Sequence, residues 1–279
     1  MAYENILLER DGKIARLTLN RPAKLNALSQ GLQADLDAAF REIDEDDSVS
    51  VLIVRGAGRA FCAGYDLTPP PAGAEPQRRR SISQDRWRLR QLINRWYNLW
   101  TLRKPVIAQV HGYCLAGGNE LVGACDLVVA AEDAQFGHPA GRALGIPPTL
   151  GLWPLHIGMR KTKELLFTGD SITGKEAERI GMVNKAVPVD QLEAEVASLA
   201  QRIAMIPLPY LTVHKHSTNR YFEIMGLKAA IESGADFDAI YHAEEGYGDF
   251  ARIAQEKGLK AALEWRDSPF ADYRGAKKE

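Results

Sequence analysis

Two short apolar runs open the chain. Residues 6–9 and 14–19 are rich in leucine and β-branched side chains and flank Asp11-Gly12, a turn dipeptide, so they predict a hairpin. The period then changes. Ser29 is a candidate cap for a helix over residues 31–44, where Leu32, Leu36, Phe40 and Ile43 fall on one face. Residues 51–54 are four consecutive apolar positions, the pattern of a strand buried on both faces. Residues 56–67 are punctuated by glycine and predict a loop, and a proline-rich stretch over 68–76 precedes the basic run Arg78–Arg80. That stretch is either a surface excursion or a lid over a ligand that carries phosphates.

Helical spacing returns over 84–102, with a strand over 105–110, a helix from Gly117-Gly118 to about Gly123, and a strand over 127–130. Beyond Lys161 the pattern is mostly helical: 161–167, a capped turn at 173–176, a strand at 182–187, a long helix over 189–206, and further helix to Trp265. Strands alternating with helices, followed by a helical last third, predict an α/β core over residues 1–200 and an appended helical segment over 201–279.

Composition narrows the function class. With 279 residues, 46% hydrophobic and 25% charged, the chain is long enough for a large core. Lys plus Arg number 35 against 36 Asp plus Glu, a net charge of -1, which gives no overall positive field for nucleic acid or anionic membrane. The most apolar stretch, 106–131, is interrupted by His111, Asn119, Glu120 and Asp126 and does not read as a membrane span. Cys62, Cys114 and Cys125 form no disulfide framework and have no metal-site spacing, which suits a reducing cytoplasm.

Several chemistries are excluded or weakly signalled. Gly56-Ala57-Gly58 opens like a dinucleotide-binding turn, but Phe61 stands where the third glycine belongs. There is no P-loop and no Gly-x-Ser-x-Gly nucleophile elbow. His214 and His216 are two apart and face different sides of a helix, so they make a poor metal pair. Two glycine-rich segments remain, 59–67 (RAFCAGYDL) and 111–120 (HGYCLAGGNE), each following a buried strand. Each is either a tight turn or a place where a backbone N–H approaches a ligand. Together they suggest two convergent donors, with a helix opening at Gly117-Gly118, a site for negative charge developing on an oxygen. Glu120, in the first turn of that helix, is either a capping charge or a group that carries a proton.

At these residues the sequence resembles the crotonase superfamily, the enoyl-CoA hydratase/isomerase family. The resemblance is carried by Leu19-Asn20-Arg21-Pro22 with Asn26-Ala27-Leu28, by residues 60–67, and by Lys104-Pro105 through Gly112, Gly117-Gly118, Glu120-Leu121 and Cys125-Asp126. It continues through Phe136-Gly137, Gly145-Ile146-Pro147, Thr168-Gly169, residues 177–187, and Leu263 to Arg266 with Phe270. It implies a right-handed spiral of ββα repeats with C-terminal helices that assemble a homotrimer or dimer of trimers, and an acyl-CoA thioester ligand.

By position, the resemblance assigns the two oxyanion N–H donors to Ala63 and Gly117 and the acid–base role to Glu120. It places Lys24, Ala60, Cys62, Gly64, Tyr65, Asp66, Leu67, Gly118 and Pro139 around the substrate and its CoA, with Arg78, Arg79 and Arg80 as further candidates for the phosphates. No metal or redox cofactor is expected, coenzyme A being part of the substrate. One feature departs from the hydratase pattern: a second glutamate should follow Phe-Gly-x-Pro, but His138-Pro139 is followed by Ala140, Gly141 and Arg142. His138 is a candidate acid or base in its place, or a histidine satisfied by the backbone. Arg142 is a candidate to bind a carboxylate or second carbonyl of the substrate, or an ordinary ion pair. Tyr65 is expected to pack against the acyl or pantetheine chain, Pro147 and Pro148 to narrow the pocket, and Trp153 either to narrow it or to sit in the core. The reaction expected is hydration of a 2-enoyl-CoA. Double-bond isomerisation, retro-Claisen hydrolysis of a cyclic ketoacyl-CoA, and non-catalytic acyl-CoA binding are the alternatives.

Overall fold

The computed structural model describes residues 3–69 and 80–270. The predicted hairpin is β1 (Ile6–Asp11) and β2 (Ile14–Leu19), paired antiparallel from Ile6 opposite Leu19 to Asp11 opposite Ile14. Helix α1 (Gln30–Glu45) follows, with the Ser29 hydroxyl accepting the Leu32 N–H and Leu32, Leu36, Ala39, Phe40 and Ile43 turned into the core.

From here a pair of strands and a helix recur. Strand β3 (Val51–Gly56) is followed by β4 (Ala60–Cys62) and α2 (Ile82–Trp100). Strand β5 (Val106–Val110) is followed by β6 (Tyr113–Leu115) and α3 (Gly117–Gly123). Strand β7 (Leu127–Ala131) is followed by β8 (Gln135–Gly137) and a 3-10 turn, Pro139–Arg142. The first strand of each pair joins one sheet and the second joins another, always beside the equivalent strand of the previous repeat and parallel to it. The chain therefore winds as a ββα spiral. The apolar 106–131 stretch is explained by this winding: β5 and most of β7 lie inside the larger sheet, and α3 is buried along its whole length.

Helices α4 (Trp153–His156) and α5 (Gly158–Thr168) lead to β9 (Ser171–Thr173), α6 (Gly174–Arg179) and β10 (Lys185–Val187). The larger sheet is then ordered β1-β2-β3-β5-β7-β10 and the smaller β4-β6-β8-β9. Two expectations shift. The 56–67 loop contains strand β4, and the strand expected over 182–187 shortens to three residues.

The last third is helical: α7 (Leu192–Ala204), α8 (Leu208–Ile224), α9 (Leu227–Tyr241), α10 (Asp249–Lys257) and α11 (Leu259–Asp267). Helix α9 packs along α2, where Leu227, Ile231, Ala235 and Ala239 meet Leu89, Ile93 and Trp100 in an apolar cluster separate from the sheet core. No single helix among the described residues is long and apolar enough to cross a membrane.

Candidate active site

The site forms where the two glycine-rich segments meet. Buried Asn26 organises the first of them: its Nδ2 donates to the carbonyls of Ala57 and Ala60, and its Oδ1 accepts the Arg21 N–H. Leu25 and Asn26 are both left-handed, at φ 50° and 55°. This turn points the Leu25 carbonyl at Ala63, whose N–H donates to it at 3.0 Å. Ala63 is thus not a free donor, and the structure corrects that assignment. Two residues further on, the N–H of Tyr65 makes no hydrogen bond among the described residues, because Gly64 at φ +98° turns the chain while its carbonyl and the N–H of Asp66 pair with Leu28.

The second segment ends at Ala116, held at φ 47°, ψ −117°, a region costly for a residue with a Cβ. The Gly117 N–H that follows also has no acceptor among the described residues. The two loops touch: a Cβ on Gly64 would stand 3.4 Å from the Gly117 nitrogen, and one on Gly117 would stand 2.8 Å from the Tyr65 ring. Tyr65 and Gly117 thus present the pair of unfilled N–H groups expected of Ala63 and Gly117.

Glu120 stands beside them, 1% exposed. Its Oε1 accepts the Tyr65 hydroxyl at 2.9 Å and its Oε2 the Thr149 hydroxyl at 2.8 Å. Trp96 Nε1–H donates in turn to the Tyr65 oxygen at 3.3 Å. Burial pushes the Glu120 carboxyl up to about 7, against the two hydroxyl donors, which favour the charged form. A carboxyl with that poise exchanges protons readily at neutral pH. An apolar cavity opens from it between α2 and α9, lined by Trp96, Tyr97, Trp100, Leu152, Leu227 and Ile231.

Other candidates have structural partners. Arg142 ion-pairs with Asp170 at 2.9 Å and Asp267 at 3.1 Å, donates Nε–H to the Thr168 carbonyl, and stacks on Phe270. It ties the 139–142 turn to the C-terminal end of α11, which removes it from the catalytic set. His138 is buried; its Nε2–H donates to the Gly145 carbonyl at 3.3 Å, and Nδ1 has no partner among the described residues. Burial pushes its pKa down to about 4, so it is a neutral ring at pH 7 and no proton donor there. Tyr65 is spent on Glu120 rather than only packing on a ligand.

Asp66 pairs with Arg21 at 2.9 Å and accepts the N–H and hydroxyl of Thr68, so it braces the first loop. Ala60 and Cys62 are fully buried, and burial pushes the Cys62 thiol up to about 12. A Cβ on Gly118 would lie 2.6 Å from the Cys62 carbonyl, so this glycine lets α3 pack on β4. Leu67 packs on the α10–α11 cluster, and Pro139 starts its 3-10 turn. Trp153 lies in the main core, away from the cavity. Lys24 and Arg80 are exposed, Lys24 at the loop that receives Ala63, while Arg78 and Arg79 lie outside the described residues. Sequence reasoning missed Thr149, which bonds Glu120 from the loop after Gly145, and Trp96, which bonds the Tyr65 hydroxyl from α2; no local motif marks either.

Residues 9–273 match the enoyl-CoA hydratase/isomerase family. The chain is 34% identical over 277 residues to a crotonyl-CoA hydratase of Syntrophomonas wolfei, covering 97% of this chain and 99% of that one. Among solved structures it is similar to an enoyl-CoA hydratase/isomerase from Xanthobacter autotrophicus (TM-score 0.89, 37% identity, 97% and 100% of the two chains). It is also similar to an enoyl-CoA hydratase from Mycobacterium smegmatis (TM-score 0.88, 32% identity, 95% and 94%).

Proposed function

Because this chain belongs to the enoyl-CoA hydratase/isomerase family, we propose that it hydrates a 2-enoyl-CoA, with the N–H groups of Tyr65 and Gly117 holding the thioester oxygen and Glu120 acting as base. The observation that carries this reading is the pair of unfilled amide donors flanking a buried carboxyl poised near neutrality. The ionised Glu120, steadied by Tyr65 and Thr149, takes a proton from the water that adds at C3. Negative charge then moves to the thioester oxygen as an enolate. Two fixed amides stabilise that charge more than they stabilise the neutral carbonyl, which lowers the barrier rather than only tightening binding. Amides suffice for this, so chelator treatment is expected to leave activity unchanged.

Two coarser features complete the reading. The exposed apolar side chains of Met205, Tyr210, Val213, Tyr221, Ile224 and Met225 around α8 support a homotrimer or dimer of trimers. Three buried, unbridged thiols support a reducing, cytoplasmic setting.

Ala140, where a second glutamate would follow Phe-Gly-x-Pro, favours a second reading, double-bond isomerisation or retro-Claisen ring opening with one carboxyl. Incubation of the purified protein with 2-enoyl-, 3-enoyl- and cyclic ketoacyl-CoA esters, followed by mass spectrometry and chromatography, separates the readings. A 3-hydroxyacyl-CoA from the 2-enoyl ester is expected. Products only from the other two classes would replace hydration with the second reading, and no product from any would leave an acyl-CoA-binding protein.

A further inference from the structure

Helix α9 brings an acid against the segment that follows the 139–142 turn, a turn that carries no acid of its own. Asp238 lies on α9 with its side chain 5% exposed. Its Oδ1 accepts the Ile146 N–H at 2.9 Å and sits 3.4 Å from His242 Nε2, while Oδ2 makes no hydrogen bond among the described residues. On its other side His242 meets Asp85 of α2, Nδ1 to Oδ2 at 2.5 Å, and Asp85 also pairs with Arg88 at 3.0 Å.

The same helix closes over the whole segment in question. The Tyr241 hydroxyl donates to the Gly141 carbonyl at 3.2 Å. A Cβ on Gly145 would stand 2.5 Å from Asp238 Oδ1 and 2.8 Å from His242 Nε2. Gly234 meets the Pro148 carbonyl, one residue before the Thr149 that holds Glu120. A buried unsatisfied group lies nearby: His138, bonded to the Gly145 carbonyl, keeps its Nδ1 without a partner among the described residues. Polar atoms buried without partners are rare, and each calls for an explanation such as an ordered water or a role in the chemistry.

We propose that Asp238 is the second acid of the reaction, delivering its Oδ2 proton to C2 of the enoyl thioester while His242 and Asp85 orient it. This deepens the hydratase reading and rests on it. In the step, Glu120 takes a proton from water as the water oxygen bonds to C3. The C2=C3 electron pair moves toward the thioester, and C2 takes the proton from Asp238, which becomes a carboxylate. Return of the Glu120 proton to Asp238 through solvent resets both groups, so the net change is addition of one water.

The electrostatics agree with that division. Burial first, then the charges of Glu120 on α3 and Asp85 on α2, push the Asp238 carboxyl up to about 8, against the Ile146 N–H and Arg88. Tyr241 on α9, His242 at its end and Tyr247 beyond it also face the cluster. Two carboxyls whose environments poise one as base and the other as acid are the arrangement that acid–base chemistry needs.

The test uses the full-length protein with Asp238→Asn, which keeps the Oδ1 acceptor for Ile146. Three readouts are taken: hydration of crotonyl-CoA across pH 6–9.5, exchange of the α-proton of butyryl-CoA with deuterated water, and acyl-CoA binding by calorimetry. The wild type is expected to lose hydration above about pH 8. The variant is expected to lose about 100-fold or more in kcat, the alkaline limb and the α-proton exchange, with Kd within about threefold. An alkaline limb and exchange rate unchanged in the variant would overturn the proposal. If Asp238→Asn does not fold, Asp85→Asn decides: a moved alkaline limb is expected, and an unmoved one overturns it. A wild type that hydrates no enoyl-CoA would sink the hydratase reading itself, an outcome distinct from either.

Discussion

Replacing Tyr65 by Phe removes one hydroxyl and leaves the residue's backbone N–H in place, so it separates the base from the oxyanion donors. The lost bond runs from the hydroxyl to Glu120 Oε1 at 2.9 Å, with the Glu120 side buried and the Tyr65 side partly so. A hydrogen bond to a charged group contributes about 1.5–3 kcal/mol. At ~1.4 kcal/mol per pH unit, its removal raises the Glu120 pKa by about one to two units. Starting from about 7, the carboxyl moves to roughly 8–9. At pH 7 the ionised fraction then falls from near one half to roughly 1–10%. Trp96 Nε1–H also loses its acceptor, which costs about 1 kcal/mol of stability. The assay is kcat/KM for crotonyl-CoA between pH 5 and 7.5. In the wild type the logarithm is expected to rise with unit slope and bend near 7. In Tyr65→Phe it is expected to keep climbing through 7.5, with KM little changed. A bend at the same pH in both proteins would refute the claim that the hydroxyl tunes Glu120.

Three further outcomes follow from the same geometry. The folded-state pKa of Glu120, about 7, lies above its ordinary 4.5, so the native state holds the proton more tightly and loses stability as pH rises across that interval, by about 3 kcal/mol. Glu120→Gln is therefore expected to be inactive yet gain on the wild type in Tm between pH 4.5 and 8; parallel Tm curves would contradict the burial cost. Gly64→Ala would place a Cβ 2.8 Å from that of Ala116 at φ +98°, between the two amide donors, so a loss of roughly 2 kcal/mol in urea unfolding and a large fall in kcat are expected. Arg142→Met breaks two ion pairs that tether the 139–142 turn. Stability is expected to fall by about 3 kcal/mol, with kcat within about threefold of wild type at 20 °C; a selective loss of kcat would return Arg142 to the site.

The strands of the larger sheet were legible as short apolar runs between turns, and α1 because it carries both its cap and its apolar face in sequence; the ββα winding itself came only from the family resemblance. Gly117 and Glu120 were legible for the same reason, being close in the chain and on one helix turn. Ala63 misled because the fate of its N–H depends on Leu25, which only the left-handed turn around buried Asn26 brings into range. Strand β4 escaped notice since three residues beside glycines carry no period, and pairing with β6 decides the matter. Tyr65, Trp96 and Thr149 join Glu120 from three separate elements, and Asp238 arrives more than a hundred residues later on α9. Such convergence leaves no local spacing to read.

The proposed meeting of the Tyr65 and Gly117 amides on one carbonyl is open to direct spectroscopic observation. Glu120→Gln, expected to hold substrate without turning it over, is mixed with crotonyl-CoA labelled with carbon-13 at the thioester carbonyl, and the isotope-edited infrared difference spectrum is recorded. Two N–H donors on the oxygen are expected to move the carbonyl stretch well below its frequency in water. A stretch at or above the solution frequency, with binding intact, would show that the two amides do not meet on the carbonyl.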